Sequence, residues 1–480
     1  MRHGALRTGA FVLALGCAAN AVAVAAAPAT AARPANGACR GTAKPAIGGL
    51  DLLELQISYT TLLARYYLPV DPAVVVRGAR EAIASQLKQC GIADTRRLAY
   101  DPRQDGSERI DTDFLMAVTR YGTRVNAKAL LQATIAGELG ALHDPYTLLF
   151  RPTQFKAFNR FLQGDRFGGV GLVLDDSGAR PRVATVIPGA PAALAGMKSG
   201  DVLTAIDGAP ADRLTLAALR DALRGKPGTT VRLNVERDGA ALPLPLVLTR
   251  AVVTDPQVLT HMIGADVGYV QLTRFGDGAA KQVADAVAGL GSRGATSYVL
   301  DLRDNGGGYG DAATGVASVF IASGTIYSTR ERTGPARVDR ASGASVFHAP
   351  LAVLVNHDTA SAAEIVAGAL QDDRTATIVG ATTYGKGVVQ SVFPLPDGAA
   401  IKMTTSRYFT PSGRSIDHVG IVPDIAVPEP ADAHLGDPAR DPQLARALAA
   451  LAAATPAAVS TASAEASPAP PAAATAPGVP

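Results

Sequence analysis

The 480-residue chain contains no tryptophan and only three cysteines. The missing tryptophan excludes no function. The cysteines form neither a Cys-x-x-Cys pair nor a cluster with histidine, and His-Glu-x-x-His is absent, so no metal site and no cofactor is expected. Charge is also sparse, at 18% of residues with a net +3. No Lys/Arg-rich run occurs, which excludes nucleic acid as an expected partner. What is plentiful is apolar residues, 48% of the chain. Much of this is alanine, some of it in the two termini, so the core is smaller than the percentage suggests. The length suits about three domains.

The start of the chain reads as a secretory signal over residues 1–31. Arg2, His3 and Arg7 are basic, residues 9–27 are almost all apolar, and small residues with Ala-x-Ala sites follow. The expected location is exported, periplasmic or otherwise extracytoplasmic. Two alternatives stand beside cleavage. One is an uncleaved anchor, since the uncharged stretch is long enough to span a bilayer. The other is lipidation at Leu15-Gly16-Cys17, where Ala14 fits poorly. Removing Cys17 leaves Cys39 and Cys90 as a candidate disulfide in an oxidising compartment, or as two thiols.

A Pro/Gly/Ala linker spans 32–48, followed by a helical region over 49–163. Helical periodicity runs from Leu50 to about Gln89 and from Val125 to Leu142. Residues 93–112 are polar and read as turns. From 164 to 250 glycine-rich strands take over. A loop at Phe167, Gly168, Gly169, Val170 and Gly171 runs into a strand, and a helical stretch covers Leu214 to Leu223. Pro188 to Gly208 carries the phrase that resembles a PDZ domain. Such domains bind a peptide by adding it to a sheet edge. The Phe167–Gly171 loop suits a terminal carboxylate, because glycines let N–H groups converge on an anion. Residues 251–434 alternate strands with helices and indicate an α/β core. A last helix is expected over 435–452. The tail 453–480 is too poor in large apolar residues to pack and is expected to be disordered.

Two residues in the α/β block carry candidate chemistry. Ser361 lies in Asn356-His-Asp-Thr-Ala-Ser-Ala-Ala-Glu364, where a strand meets a helix. Lys386 lies in Thr383-Tyr-Gly-Lys-Gly-Val-Val-Gln390. The plain reading is a capping serine, with Glu364 completing Ser-x-x-Glu, and a turn lysine. The chemical reading is a serine nucleophile whose proton is taken by a lysine held neutral, its pKa brought down from ~10.4 by burial. Gln390, an even offset from Lys386 on a regular strand, is placed to orient the amine without adding charge. His357 is four residues before the serine, but no Gly-x-Ser-x-Gly surrounds Ser361. An oxyanion needs two donors. The Ala362 N–H is one, and the Asn305-Gly306-Gly307-Gly308 turn offers the other.

Together with Asp144-Pro-Tyr-Thr147, Asp301 to Gly308 and Thr404 to Asp424, these motifs resemble the carboxyl-terminal processing peptidases of family S41, in family order over about residues 50–450. The resemblance implies a multidomain α+β protein with a helical N-terminal region, a PDZ domain and a ClpP/crotonase-like α/β core. It implies a serine endopeptidase with Ser361 as nucleophile, Lys386 as base, Gln390 as orienting residue, and Gly307 and Ala362 as oxyanion donors. It implies protein or peptide substrates with free C-termini, captured by the PDZ domain, and an adaptor protein as a candidate partner. The sequence leaves oligomeric state open. Gly306, Tyr384 and Ala363 replace a commoner proline, phenylalanine and serine without removing a catalytic group. The rival readings are a catalytically silent PDZ scaffold and an esterase or amidase on the same dyad.

Overall fold

The computed structural model describes residues 11–15, 39, 49–92 and 106–454, except 164–165, 176–179, 188, 199, 238, 255, 344, 346, 429–435 and 437. Cys17, most of the expected leader and linker, and nearly all of the 453–480 tail lie outside these residues. Cys39 and Cys90 are joined by a disulfide with Cα atoms 5.1 Å apart.

The N-terminal region is a helical bundle. The periodic stretch after Leu50 is two helices, Gly49–Arg65 and Pro72–Gln89. Asp71 accepts from the Ala73 N–H and Pro72 occupies the first helical position, so a new helix starts there. Of the stretch 93–112 read as turns, 93–105 lie outside the described residues, and the rest needs correction, since Ser107–Tyr121 is a helix. It buries Ile110, Phe114, Ala117 and Val118, but also Arg109 and Asp113 on the same face. Asp113 pairs with Arg80 at 2.7 Å and Arg109 at 3.3 Å. A buried ion pair stands where apolar residues would have revealed the period. Asn126 caps Ala127–Gly140 through the Ala129 N–H. The bundle's core also takes in Leu395, Ala399, Ile401 and Met403 from the later sheet, and Leu148–Phe150 pairs directly with that sheet.

The glycine-rich region after residue 164 is a sheet in the order Leu246–Thr249, Thr230–Arg237, Val202–Ile206, Arg182–Val186, Leu172–Asp175. A separate two-stranded ribbon pairs Arg166–Gly169 with Ala251–Thr254. Helix Leu216–Leu223 is capped by Thr215 and buries Leu219 and Leu223 in the core of this region.

The α/β block holds two sheets. In the first, Val267–Leu272, Ser297–Asp301, Leu351–Val355, Thr377–Gly380 and Ile425–Ala426 run parallel, with Val258–Ile263 antiparallel at one edge. The middle strands Ser297–Asp301 and Leu351–Val355 are buried throughout, as expected of a sheet covered on both faces. Helices Ala279–Gly291, Gly310–Phe320 and Ala362–Asp372 contribute to the main core, and Pro442–Ala454 packs on the other side. The second sheet is built on the hairpin Val388–Pro394 with Ala400–Phe409, extended by Thr325–Glu331 and Arg337–Arg340. Within the expected leader, Phe11–Leu15 forms a strand antiparallel to both Gly307–Tyr309 and Val388–Pro394. Leu15 stands opposite Gly307, and Leu13 opposite Gln390.

Candidate active site

Ser361 stands at the end of a short turn between Leu351–Val355 and the helix Ala362–Asp372. Its backbone has φ 64°, rare for a residue with a Cβ. That strain is held by a lattice of hydrogen bonds. The Asn356 side chain accepts from the Asp304 N–H at 3.0 Å and donates to the Asp304 carboxylate at 2.8 Å. Thr359 Oγ1 donates to the Leu302 carbonyl at 2.9 Å, and the Ala360 N–H donates to the Asn305 carbonyl at 2.9 Å. The serine turn is therefore laced to the Arg303–Gly308 turn. The Tyr408 hydroxyl donates to the Ser361 carbonyl at 3.2 Å. Ser361 Oγ is buried, faces the Glu364 N–H across the capping box and makes no well-aligned hydrogen bond among the described residues.

Gly307 packs against the serine. A Cβ on it would lie 2.9 Å from Ser361 Cβ and 3.0 Å from the Ala362 nitrogen, and its φ of 100° suits glycine. Its own N–H donates to Asn305 Oδ1 at 2.9 Å. The Gly307 carbonyl and the Tyr309 N–H both bond Phe275. By strand alternation the Gly308 N–H points the other way, toward Phe11–Leu15. Ala362 is the first residue of its helix, so its N–H has no intrahelical acceptor.

Lys386 is buried in a tight turn. Both flanking glycines are required by close approach. A Cβ on Gly387 would lie 2.6 Å from the Asp417 nitrogen. One on Gly385, where φ is 85°, would lie 2.9 Å from the Val419 nitrogen. Lys386 Nζ stands 4.8 Å from the centre of the Tyr146 ring, which gives the Asp144-Pro-Tyr-Thr motif a place beside the lysine. Gln390 is buried, and its Nε2 donates to Thr404 Oγ1 at 3.4 Å. Its Oε1, the atom able to accept from an amine, has no partner among the described residues. The register shift at Val389/Gln390 places its extra residue, Thr405, on the partner strand, so alternation along Val388–Pro394 is kept, while Lys386 itself stands in the turn before that strand. His357 is exposed.

Glu364 joins the two turns. One carboxylate oxygen accepts from the Ser361 N–H at 2.7 Å and the Lys386 N–H at 3.0 Å. The other accepts from the Gly385 N–H at 2.7 Å and Thr383 Oγ1 at 2.5 Å. Burial pushes its carboxyl above the ordinary value, although these donors pull it back. The sequence reading saw Glu364 only as a capping partner. Ser-x-x-Glu was the signal, but its second duty depends on residues 19 to 22 positions later in the chain.

Beneath the glycine turn, Arg303 is fully enclosed between Asp301 and Asp441, at 2.6 and 2.7 Å. It also donates to Gln443 at 3.1 Å, while the Tyr269 hydroxyl donates to Asp301 at 2.6 Å. Burial works against both charges. The carboxylates nevertheless raise the Arg303 pKa, and Arg303 holds the Asp441 carboxyl below its ordinary value.

Residues 266–427 match the family model Peptidase family S41, and residues 182–237 match a PDZ domain model. The carboxyl-terminal-processing protease of Synechocystis sp. is 38% identical over 298 residues, which cover 61% of this chain and 70% of the relative. The chain belongs to peptidase family S41. Two further relatives agree with the assignment to this S41 family. The carboxy-terminal-processing protease of Bartonella bacilliformis is 36% identical over 65% of this chain and 73% of its own. That of Bacillus subtilis is 30% identical over 72% of each. As an S41 peptidase with a PDZ domain, the chain has the multidomain α+β architecture expected from its motifs.

Proposed function

We propose that this peptidase is an exported serine endopeptidase that cleaves proteins near their C-termini with a Ser361/Lys386 dyad. The observation that carries the reading is Glu364, whose single carboxylate binds the backbone N–H groups of both Ser361 and Lys386. Neither turn is placed independently of the other. Ser361 Oγ attacks the scissile carbonyl carbon and passes its proton to the neutral Lys386 amine. The C–N bond then breaks, and the lysine returns that proton to the leaving amine, freeing the C-terminal fragment. Water, deprotonated by the same lysine, hydrolyses the acyl-serine. Burial of Lys386 disfavours its charged form. Gln390 Oε1 is the orienting acceptor. The oxyanion donors are the Ala362 N–H and the Gly308 N–H. Gly308 takes the place expected of Gly307, because the Gly307 N–H is engaged by Asn305. The slot between Gly307–Tyr309 and Val388–Pro394 takes an extended segment of this same chain, which supports a substrate bound there as a strand.

The PDZ groove supports tail capture. It lies between Leu172–Asp175 and helix Leu216–Leu223, beside the Phe167–Gly171 loop. The relatives' names describe carboxyl-terminal processing, and the apolar leader supports export.

Ser361→Ala and Lys386→Ala are each expected to abolish cleavage of an unfolded protein substrate, with far-ultraviolet circular dichroism unchanged. Retained turnover in Lys386→Ala together with loss in His357→Ala would overturn the dyad. Turnover of small esters with proteins left intact would favour the esterase reading.

A further inference from the structure

The PDZ groove, of about 330 Å³, is lined by two arginines, Arg220 and Arg224. Arg220 and Arg224 are exposed, and neither guanidinium pairs with a carboxylate among the described residues. The placement of Arg224 is fixed. Arg224 forms a bridge with Gly169, and its guanidinium lies 4.2 Å from the centre of the Phe167 ring. The next residue, Gly225, donates its N–H to the Gly168 carbonyl at 2.9 Å. A Cβ on Gly168 would fall 2.0 Å from the Gly225 carbonyl oxygen, so this glycine is needed for the contact. The C-terminal end of the helix is thus pinned to the loop.

The other wall is an open strand. Leu172–Asp175 is the last strand of its sheet. The Gly171 carbonyl accepts from the Ile187 N–H, so by alternation the backbone groups of Leu172 point off the free edge. A peptide added there antiparallel has its C-terminus at the loop. Val170, Ile187 and Leu223 surround that end with apolar surface.

Arg220 is four residues before Arg224, or about 6 Å along the helix. An extended peptide covers that distance in about two residues, at roughly 3.4 Å each. Side chains alternate along it, so the last residue and the third from last face the same wall. We propose that this groove selects tails with an apolar last residue and an aspartate or glutamate third from the end. Arg220 meets the acidic side chain, and Arg224 stands at the terminal carboxylate. The inference rests on the PDZ domain being the tail receptor.

The test uses the full chain carrying Ser361→Ala and three fluorescent ten-residue peptides of otherwise one sequence. They end in Glu-Ala-Leu, in Lys-Ala-Leu, and in Glu-Ala-Leu with an amidated terminus. The glutamate tail is expected to bind about two- to fivefold tighter than the lysine tail, the scale of an exposed charge pair. That gap should narrow in high salt. Arg220→Glu should reverse the order. Equal binding of the two acid-terminated peptides, or an unchanged order in Arg220→Glu, overturns the proposed selectivity. Undiminished binding of the amidated peptide overturns tail capture itself, a separate result.

Discussion

Glu364 is the residue on which the geometry of the dyad most depends. Four donors converge on one buried carboxylate, and two of them are the N–H groups of the proposed nucleophile and base. Glutamine has nearly the same size, but its amide nitrogen would face donors instead of accepting from them. We predict that Glu364→Gln lowers kcat about a hundredfold with little change in KM, because small misplacements of reacting groups cost that much. Steady-state kinetics on a peptide substrate checks this, and near-normal kcat would remove Glu364 from the positioning role. Ser361 shows why a capping motif alone was ambiguous. Both halves of the box are in place, but only the glutamate half is a well-aligned hydrogen bond among the described residues.

At the scale of elements, the decisive contact joins the C-terminal helix to the strand before the glycine turn. Asp441 and Gln443 reach Arg303 from the start of Pro442–Ala454, more than 130 residues away in sequence. Removing one partner of a buried ion pair costs more than forming the pair gains. Asp301 remains with Arg303, so Asp441→Asn is predicted to cost about 2–3 kcal/mol, somewhat below the loss for an arginine left alone. The thermal midpoint should fall, and kcat should drop about tenfold as the turn bearing Gly308 loosens. A midpoint unchanged within a degree would show that the helix does not support that turn. Element legibility followed side-chain chemistry. Pro72–Gln89 announced itself through its apolar period, with Val75, Ala79, Ile83 and Leu87 buried, whereas Ser107–Tyr121 was hidden because Asp113 and Arg109 occupy core positions as a pair.

For the whole molecule, two sets of carboxyl groups set the pH dependence of stability. Asp201, Asp372 and Asp441 are held below their ordinary values although burial opposes it. The opposing donors are Arg237 for Asp201, Thr410 and Ser412 for Asp372, and Arg303 for Asp441. Their contribution is present above the unfolded value of 3.8 and is lost as pH falls through the folded values. Glu138 acts in the opposite sense. It is buried in the helical bundle, and desolvation raises its carboxyl from 4.5 to about 8, against the pull of the Ser58 hydroxyl. Between those values the folded protein keeps a proton that the unfolded chain loses, so stability falls as pH rises. Glu364, also raised by burial, adds to this fall. The thermal midpoint is therefore expected to peak near pH ~5 and decline toward pH ~8. Glu138→Gln, which stays neutral, should flatten that decline. An alkaline limb as steep in Glu138→Gln as in the wild type would show that Glu138 is not its source.

The sequence by itself determined the residue types, their order along the chain, and the local geometry that glycine and proline impose. That was enough for the family, for the dyad candidates Ser361 and Lys386, and for most strands and helices. Local sequence carries these because turn chemistry and apolar period act over a few neighbouring residues. Only the tertiary structure brought Glu364 to the Lys386 turn and Tyr146 to its Nζ. Only it set Asp441 against Arg303. Those relations join residues far apart in the chain through directional hydrogen bonds and burial, and no local pattern encodes them.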